Sequence, residues 1–281
     1  MLGVVVTGQI WVRVPQTLRM RWDGRLVEGV SAKDMMLHMI GRFGMNGGQY
    51  QAVEFCGEAV RALSMQERMT LSNMSAEMGA QAGLIAPDEV TREALALAGV
   101  HEVDIEGWET DEQAHAIVHG FDAGALSPQV AAPHSPANTR AVDQFGDTAV
   151  QVAYIGACTG AKLDDLRAAA QVFERAGAQR LPDGVRLMVA PASQQDQAQA
   201  ESEGIMERLR GLGAQVLPTA CGACSGYGGS IPDGANVIAT TARNFKGRMG
   251  SATAQVYLAS PYTVAASALR GRITDPREVL A

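Results

Sequence analysis

The chain has 281 residues, which is enough for two compact domains of ordinary size. Its net charge of -7 and its pI of about 5.3 disfavour nucleic-acid binding, because neutralising phosphates needs a basic face. Its apolar runs are short and its N-terminus lacks a basic leader, so we expect a cytoplasmic protein that binds neither nucleic acid nor membrane.

The first block of the chain, residues 1–142, is predicted to fold as one domain. Alternating or short apolar runs predict its strands, at residues 11–14, 17–22 and 52–55. Helical patterns predict its helices, at residues 31–43 with Ser31 as N-cap, and at residues 63–83 as one long helix or a pair. Residues 84–140 contain several prolines, and we expect mixed helix and loop there, leading to a linker.

The second block, residues 143–281, alternates predicted strands and helices. The strands are expected at residues 149–155, 185–190, 215–218 and 237–239. The helices are expected at residues 163–176 and 194–212. This alternation predicts the α/β class, with a parallel sheet covered by helices on both faces.

Three of the four cysteines follow predicted strands of the second block. Cys158 comes just after the strand that ends at Ile155, and Cys221 and Cys224 come just after the strand that ends near Pro218. Open α/β sheets bind ligands at the carboxyl ends of their strands, so two distant loops can bring three thiolates to one point. A cluster held by three thiolates leaves one iron without a protein ligand, and such an iron can act as a Lewis acid.

Simpler interpretations of the cysteines stay open at this point. The pair Cys221 and Cys224 could be half of a zinc site, although the histidines before it, His119 and His134, are well upstream. The same pair could be a redox dithiol, but residues 225–230 disfavour the long helix that normally follows such a pair. Cys56 is interpreted as a small core residue.

Several segments together resemble the large-subunit family of aconitase and 3-isopropylmalate dehydratase. They are LSMQERMTLSNMSAEMGAQAGLIAPD at 63–88, IGACTGAKLDDL at 155–166, CGAC at 221–224, RNFKGRMGS at 243–251, TGQIWVRVPQT at 7–17, GVSAKD at 29–34 and SPYTVAASALRGRITDPRE at 260–278. The resemblance covers nearly the whole chain. It implies two three-layer αβα domains with largely parallel sheets, equivalent to the family's second and third domains.

The resemblance also implies the site residues. The expected ligands of a [4Fe-4S] cluster are Cys158, Cys221 and Cys224. The expected polar pair beside the cluster is Asn73 and Glu77, and their spacing of four puts both on one helix face. Asn73 is expected to contact the cluster environment. Glu77 is expected to hydrogen-bond the substrate hydroxyl or iron-bound water. The expected carboxylate-binding residues are Arg243 and Arg248, since a guanidinium can bind a carboxylate at two points.

The implied function is a [4Fe-4S]-dependent hydro-lyase that acts on a 2- or 3-hydroxy di- or tricarboxylic acid. The preferred candidate for this function is the large subunit of the isopropylmalate enzyme of leucine biosynthesis, or a close paralogue of it. The alternative is an iron-sulfur or redox sensor, or a dithiol oxidoreductase, without hydro-lyase activity. Where the family usually has Ser-Cys-Thr-Asn-Gly-Arg, this chain departs at Ala157, Gly160, Ala161 and Lys162. It also has Ala242 in place of an Asn, and Ser72 where a cysteine or threonine is often found. These changes predict a divergent paralogue.

Two parts of the family pattern are not found in this sequence. The family's N-terminal domain, with its Asp-His pair and Asp-Ser-His motif, would precede Met1, so we expect a truncated reading frame or a misplaced start. The mobile domain that carries the catalytic serine is expected as a separate small swivelling-domain subunit. The chain alone is therefore expected to hold a cluster poorly and to catalyse little.

Overall fold

The computed structural model describes residues 2–111, 113–227 and 231–281. Of residues 225–230, which were predicted to disfavour a helix, residues 228–230 lie outside the described residues. Within the described ranges, none of the helices has the length and apolarity that crossing a membrane requires.

The first sheet is built entirely from parallel strands in the order β3-β2-β1-β4. Its strands are β1 (Thr17–Asp23), β2 (Ala52–Cys56), β3 (Ala82–Ile85) and β4 (Ala116–Asp122). The helices of this part are α1 (Leu2–Thr7), α2 (Ala32–Phe43), α3 (Glu58–Arg61), α4 (Met65–Met74) and α5 (Glu89–Leu97). A 3-10 turn, Ser75–Met78, continues directly from α4.

The second sheet has seven described strands in the order β6-β5-β11-β10-β7-β8-β9. They are β5 (Gln129–Ala131), β6 (Thr139–Ala141), β7 (Val152–Gly156), β8 (Arg186–Ala190), β9 (Gln215–Val216), β10 (Asn236–Ala239) and β11 (Gln255–Ala259). Its helices are α6 (Leu163–Arg175), α7 (Gln194–Ser202), α8 (Ile205–Gly211), α9 (Pro261–Arg270) and α10 (Arg277–Leu280). The strands from β11 to β9 are parallel, and β5 pairs antiparallel with both β6 and β11.

The predicted α/β class with largely parallel sheets is confirmed. The helix predicted after Ser31 is confirmed as α2, and the N–H of Ser31 donates to Asp34 Oδ2 at 2.9 Å. The helix predicted at residues 194–212 is divided into α7 and α8. Gly204 adopts a left-handed φ of 72° between them, which ends one helix before the next begins.

Two expectations about the first block were wrong. Residues 11–14 form no strand and are exposed, because their alternation has no neighbouring strand to pair with. Residues 84–140 contain the helix α5 but also the strands β4 and β5 and the start of β6, where only helix and loop were expected. Each of these strands is defined by its pairing with a partner strand, and periodicity within a short segment does not reveal that pairing.

A buried joint connects the two sheets at α2. Asp34, on α2, accepts a hydrogen bond from the backbone N–H of Gln129 on β5 at 2.9 Å. One core cluster contains buried side chains of both sheets, among them Met20 from β1 and Tyr154 from β7. Although β5 and β6 precede residue 142, they extend the second sheet, so the chain passes between the sheets before that position.

Candidate functional site

The three cysteines lie in two loops at the carboxyl edge of the second sheet. Cys158 follows β7 by two residues. After β9, Cys221 comes directly before a short 3-10 turn, Gly222–Ser225, and Cys224 lies within that turn. Cys158 and Cys221 are exposed, Cys224 is buried, and all three are free thiols. Just before Cys158, Ala157 has a φ of 71°, a left-handed conformation that is costly for a residue with a Cβ.

The pKa of the Cys224 thiol depends on its burial and on the charged groups around it. Burial raises the pKa of the Cys224 thiol, the guanidinium of Arg248 opposes this rise, and negative charge on Cys221 or Cys158 adds to it. Within the described ranges, no three or more Cys, His, Asp or Glu side chains stand in the geometry of a metal site. The thiols therefore share one edge of the sheet, but as they stand they do not share a common coordination centre.

Asn73 lies beside the first cysteine. Its Nδ2 donates to Cys158 Sγ at 3.5 Å, across a gap of 85 residues in sequence. Asn73 is near the C-terminus of α4, and a groove of about 820 Å³ runs along this helix to Cys158 and Lys162. The exposed thiol of Cys158 therefore faces open space that a neighbouring domain or a ligand can fill.

Glu77 and Arg243 form an ion pair that joins the two sheets. The Nε of Arg243, in the loop after β10, donates to both carboxylate oxygens of Glu77, at 2.8 and 2.9 Å. The Glu77 side chain is only 5% exposed and that of Arg243 is 41% exposed, so the carboxylate is held inside while the guanidinium faces outward. Glu77 lies in the 3-10 turn after α4, so it does not continue the α-helical face of Asn73.

Arg248 contacts the backbone of the third cysteine. Its Nε donates to the carbonyl oxygen of Cys224 at 3.0 Å. The Arg248 guanidinium also hydrogen-bonds the Cys224 thiol. For the two η nitrogens of Arg243, no hydrogen-bond partner is found among the described residues, so Arg243 uses one nitrogen for the protein and keeps two donors for another acceptor.

Lys33 is a buried cation of the site that the sequence analysis did not single out. Its Nζ donates to the carbonyl oxygens of Thr240 at 2.5 Å and Thr241 at 2.9 Å, and to Thr159 Oγ1 at 3.3 Å. Burial lowers the pKa of Lys33 to about 8. A lysine in the first turn of a helix opposes the helix dipole, and that unusual position was the available signal.

Lys162, at the position of an arginine in the family motif, holds the Cys158 loop against α4. Its Nζ donates to Thr70 Oγ1 at 2.8 Å and to Asp165 Oδ2 at 2.8 Å. Together with Lys33, it attaches the cysteine loop to the helices of the first sheet.

Gly160 explains one departure from the family motif. A Cβ at this position would lie 2.5 Å from Thr240 Oγ1 and 2.6 Å from the Thr240 carbonyl oxygen, and closer still to the Thr240 Cβ. The Thr240 hydroxyl is itself held by the backbone N–H and carbonyl of Gly156, each at 2.8 Å. An asparagine therefore does not fit at position 160 in this packing.

Tyr154, on β7 beneath the cysteine loops, is a second residue that the sequence analysis missed. Its side chain is completely buried; the backbone N–H of Cys224 contacts its oxygen, but its hydroxyl proton has no acceptor among the described residues. Burial raises the pKa of this phenol, and so does negative charge on Cys224 and Cys221, which places the phenol near both cysteines. An unpaired buried donor facing thiols fits a site that holds a sulfur-rich group.

The alternative metal and redox interpretations gain no support. His119 lies on β4, where its ring contacts the ring of Phe43 at a centroid distance of 4.7 Å, and it belongs to the first sheet. Cys221 precedes only a 3-10 turn, whereas a redox dithiol normally stands at the start of a long helix. Cys56 is half-buried on β2, where burial raises the pKa of its thiol.

Comparison with known proteins agrees with the family resemblance seen in the sequence. A family model described as the aconitase family (aconitate hydratase) matches residues 2–148 and 137–271. The 3-isopropylmalate dehydratase large subunit 1 of Methanopyrus kandleri is 42% identical over 100% of this chain and 66% of its own length. The 3-isopropylmalate dehydratase large subunit of Desulfatibacillum aliphaticivorans is 38% identical over 99% of this chain and 65% of its own length.

The chain spans just under two thirds of the length of these relatives, at 66% and 65%. Among solved structures, the holo-form of aconitase X from Thermococcus kodakaraensis aligns with a TM-score of 0.45 and 12% identity. That alignment covers 85% of this chain and 52% of the other.

Proposed function

The chain belongs to the aconitase family, and on this premise we propose that it is the cluster-carrying part of a [4Fe-4S]-dependent hydro-lyase. The proposed reaction removes and re-adds water across a carbon-carbon bond of a 2- or 3-hydroxy di- or tricarboxylic acid. Because both relatives described above are named as 3-isopropylmalate dehydratase large subunits, we propose isopropylmalate as the first substrate to test. A close paralogue that acts on a related acid is the second candidate.

One observation carries this proposal. Two loops separated by about 60 residues bring three free thiols to one edge of a parallel sheet, beside an ion pair of a carboxylate and a guanidinium. Three thiolate donors suit an iron-sulfur cluster that has one iron without a protein ligand. An electron-transfer cluster would normally use four protein ligands, so three ligands favour chemistry at the open iron.

In the proposed enzyme, Cys158, Cys221 and Cys224 hold the cluster. When bound, the cluster supplies an open iron that acts as a Lewis acid toward a hydroxyl and a carboxylate. Asn73 donates to Cys158 Sγ and so holds that thiolate in place, while Lys33 and Lys162 attach its loop to the first sheet.

The arginines bind the carboxylates of the substrate. The Nε of Arg243 is engaged by Glu77, so its guanidinium is oriented by the protein and offers its η nitrogens to a ligand. Arg248 is held by the carbonyl and the thiol of Cys224, which orients its guanidinium beside the cluster site. Glu77 accepts a hydrogen bond from the substrate hydroxyl or from the departing water, and Arg243 stabilises its negative charge. A base from a small swivelling-domain subunit removes the proton from carbon.

Anaerobic reconstitution of the chain with iron and sulfide tests the cluster site. Because the chain alone is expected to hold the cluster weakly, we expect excess iron and sulfide to load up to about four irons per chain, with visible absorption, both lost in Cys158→Ser. Cys56→Ser is the matched control, because Cys56 is a free cysteine on the first sheet, outside the site. Equal iron content in the two variants, or a folded wild-type chain that binds no iron, contradicts the proposal.

A second experiment tests the reaction. The reconstituted chain is combined with a small subunit of the isopropylmalate dehydratase type and supplied with isopropylmalate, citrate, homocitrate or a methylmalate-type acid. Turnover of one of these acids, dependent on both proteins and on the cluster, supports the hydro-lyase proposal. A chain that carries the full cluster and binds the small subunit but turns over none of the four acids argues for the sensor alternative.

A further inference from the structure

Tyr154 presents a polar group that the fold leaves unsatisfied. Its side chain is fully buried in the core shared by the two sheets. The backbone N–H of Cys224 contacts the phenol oxygen, but the hydroxyl proton has no acceptor among the described residues. Buried hydroxyl groups in proteins are nearly always paired, because losing hydration without replacement is unfavourable. An unpaired donor at a functional site suits an acceptor supplied by a bound group.

The surroundings of the hydroxyl indicate which acceptor is missing. The Tyr154 oxygen is in contact with the backbone N–H of Cys224, and negative charge on Cys224 and Cys221 disfavours ionisation of the phenol, so the hydroxyl lies beside the loop that carries these two cysteines. Buried Cys224 belongs to the same core cluster as Tyr154. The phenol therefore faces the side of the site where sulfur atoms are concentrated.

The backbone makes specific room for this ring. A Cβ on Gly156 would lie 2.5 Å from the Tyr154 Cε1 and closer still to its Cζ and hydroxyl. Gly156 is the last residue of β7 and begins the loop that carries Cys158. The absence of a side chain at residue 156 thus lets the phenol lie under the cysteine loops.

We propose that the Tyr154 hydroxyl donates a hydrogen bond to a sulfur of the bound cluster, either the Cys224 thiolate or an inorganic sulfide next to it. Tyr154 is then a positioning residue: it does not touch the substrate, but it stabilises the cluster and raises the reduction potential by favouring the more negative, reduced state. This inference rests on the proposed cluster site and identifies a further residue that supports it.

The test compares Tyr154→Phe with Tyr257→Phe after anaerobic reconstitution of the whole chain. Both variants lose only a hydroxyl, but Tyr257 lies on β11, half-buried, with its ring against Phe145 and in the other core cluster. We expect Tyr154→Phe to lose iron to a chelator on the order of tenfold faster than wild type, and to have a lower reduction potential. Tyr257→Phe should match wild type in both measurements.

Resonance Raman spectra in ordinary and deuterated water identify the acceptor. An isotope shift of an iron-thiolate band that disappears in Tyr154→Phe supports the Cys224 sulfur, and a shift of a bridging band supports a sulfide. Identical isotope shifts, iron loss and potential in wild type and Tyr154→Phe overturn the inference while leaving the proposed function intact. A wild-type chain that binds no cluster overturns both.

Stability of the cluster-free chain separates this role from a purely structural one. Because the hydroxyl proton has no acceptor among the described residues and only the Cys224 N–H contacts its oxygen, Tyr154→Phe should change the thermal midpoint of the cluster-free chain little. The same substitution should lower the midpoint of the loaded chain clearly. A midpoint that falls equally in the cluster-free and loaded chains indicates a purely structural role and overturns the inference.

Discussion

Replacing Gly160 by alanine tests how tightly the cysteine loop is packed. The added Cβ would lie 2.5 Å from Thr240 Oγ1 and 2.6 Å from the Thr240 carbonyl oxygen, well inside van der Waals contact. Thr240 is completely buried, and its hydroxyl makes two hydrogen bonds of 2.8 Å with the backbone of Gly156. The threonine therefore cannot move aside without breaking those bonds.

Either response of the structure is unfavourable. If Thr240 stays in place, overpacking costs about 1–3 kcal/mol. If it rotates away, two buried hydrogen bonds of about 1 kcal/mol each are lost. We therefore expect Gly160→Ala to lower the free energy of unfolding by about 2–3 kcal/mol, and the thermal midpoint by roughly 5–10 °C.

Urea denaturation followed by circular dichroism measures this effect. Gly146→Ala is the matched control, because no atom lies within 4 Å of its added Cβ and its φ is -54°. It should be neutral or slightly stabilising, since alanine restricts the unfolded chain. In a Thr240→Gly background, which removes the opposing side chain, Gly160→Ala should cost less. A Gly160→Ala variant as stable as Gly146→Ala refutes the packing argument.

Two further predictions concern charged groups of the site. Burial lowers the pKa of Lys33 to about 8, so between about pH 8 and 10.5 the lysine is protonated only in the unfolded chain. The free energy of unfolding of wild type, relative to that of Lys33→Met, should therefore rise by about 3 kcal/mol from pH 8 to pH 10.5. A difference between their urea midpoints that does not change with pH contradicts this prediction. In the proposed enzyme, Glu77→Gln should lower kcat on the order of 100-fold. The control is Glu54→Gln, which changes a carboxylate paired with Arg19 on the first sheet and should leave kcat unchanged. Equal kcat values for the two variants argue against a catalytic role of Glu77.

Much of the second block could be predicted from the sequence because its signals are local. The buried strand β7, the acidic first turn of α6 and the strand-loop-cysteine order are each visible within about fifteen residues. The carboxyl-edge rule for parallel sheets then brings Cys158 to the same edge as Cys221 and Cys224 without any knowledge of tertiary contacts. The division of the predicted 194–212 helix, the strand β11 and the helices α9 and α10 escaped this reasoning.

Strands β4 and β11 were not predicted from the sequence. β4 pairs with β1 about 100 residues earlier in the chain, in a register that runs from Thr17 opposite Ala116 to Asp23 opposite Asp122. β11 lies between β10 and β5, so its place depends on two other strands. Pairing between distant segments leaves little trace in either segment alone.

The sequence by itself determined which chemistry this protein can carry: three cysteines in two post-strand loops, two arginines near the C-terminal part, and the Asn73 and Glu77 pair. Tertiary structure alone decided how these groups meet. It paired Glu77 with Arg243, buried Lys33 under the loops and filled the space at Gly160 with Thr240. Among the described residues, it also left the Tyr154 hydroxyl proton without an acceptor beside the cysteine loops. The reason is physical: residue type and spacing are encoded locally, whereas burial and hydrogen-bond partners arise only when distant segments exclude water from one another.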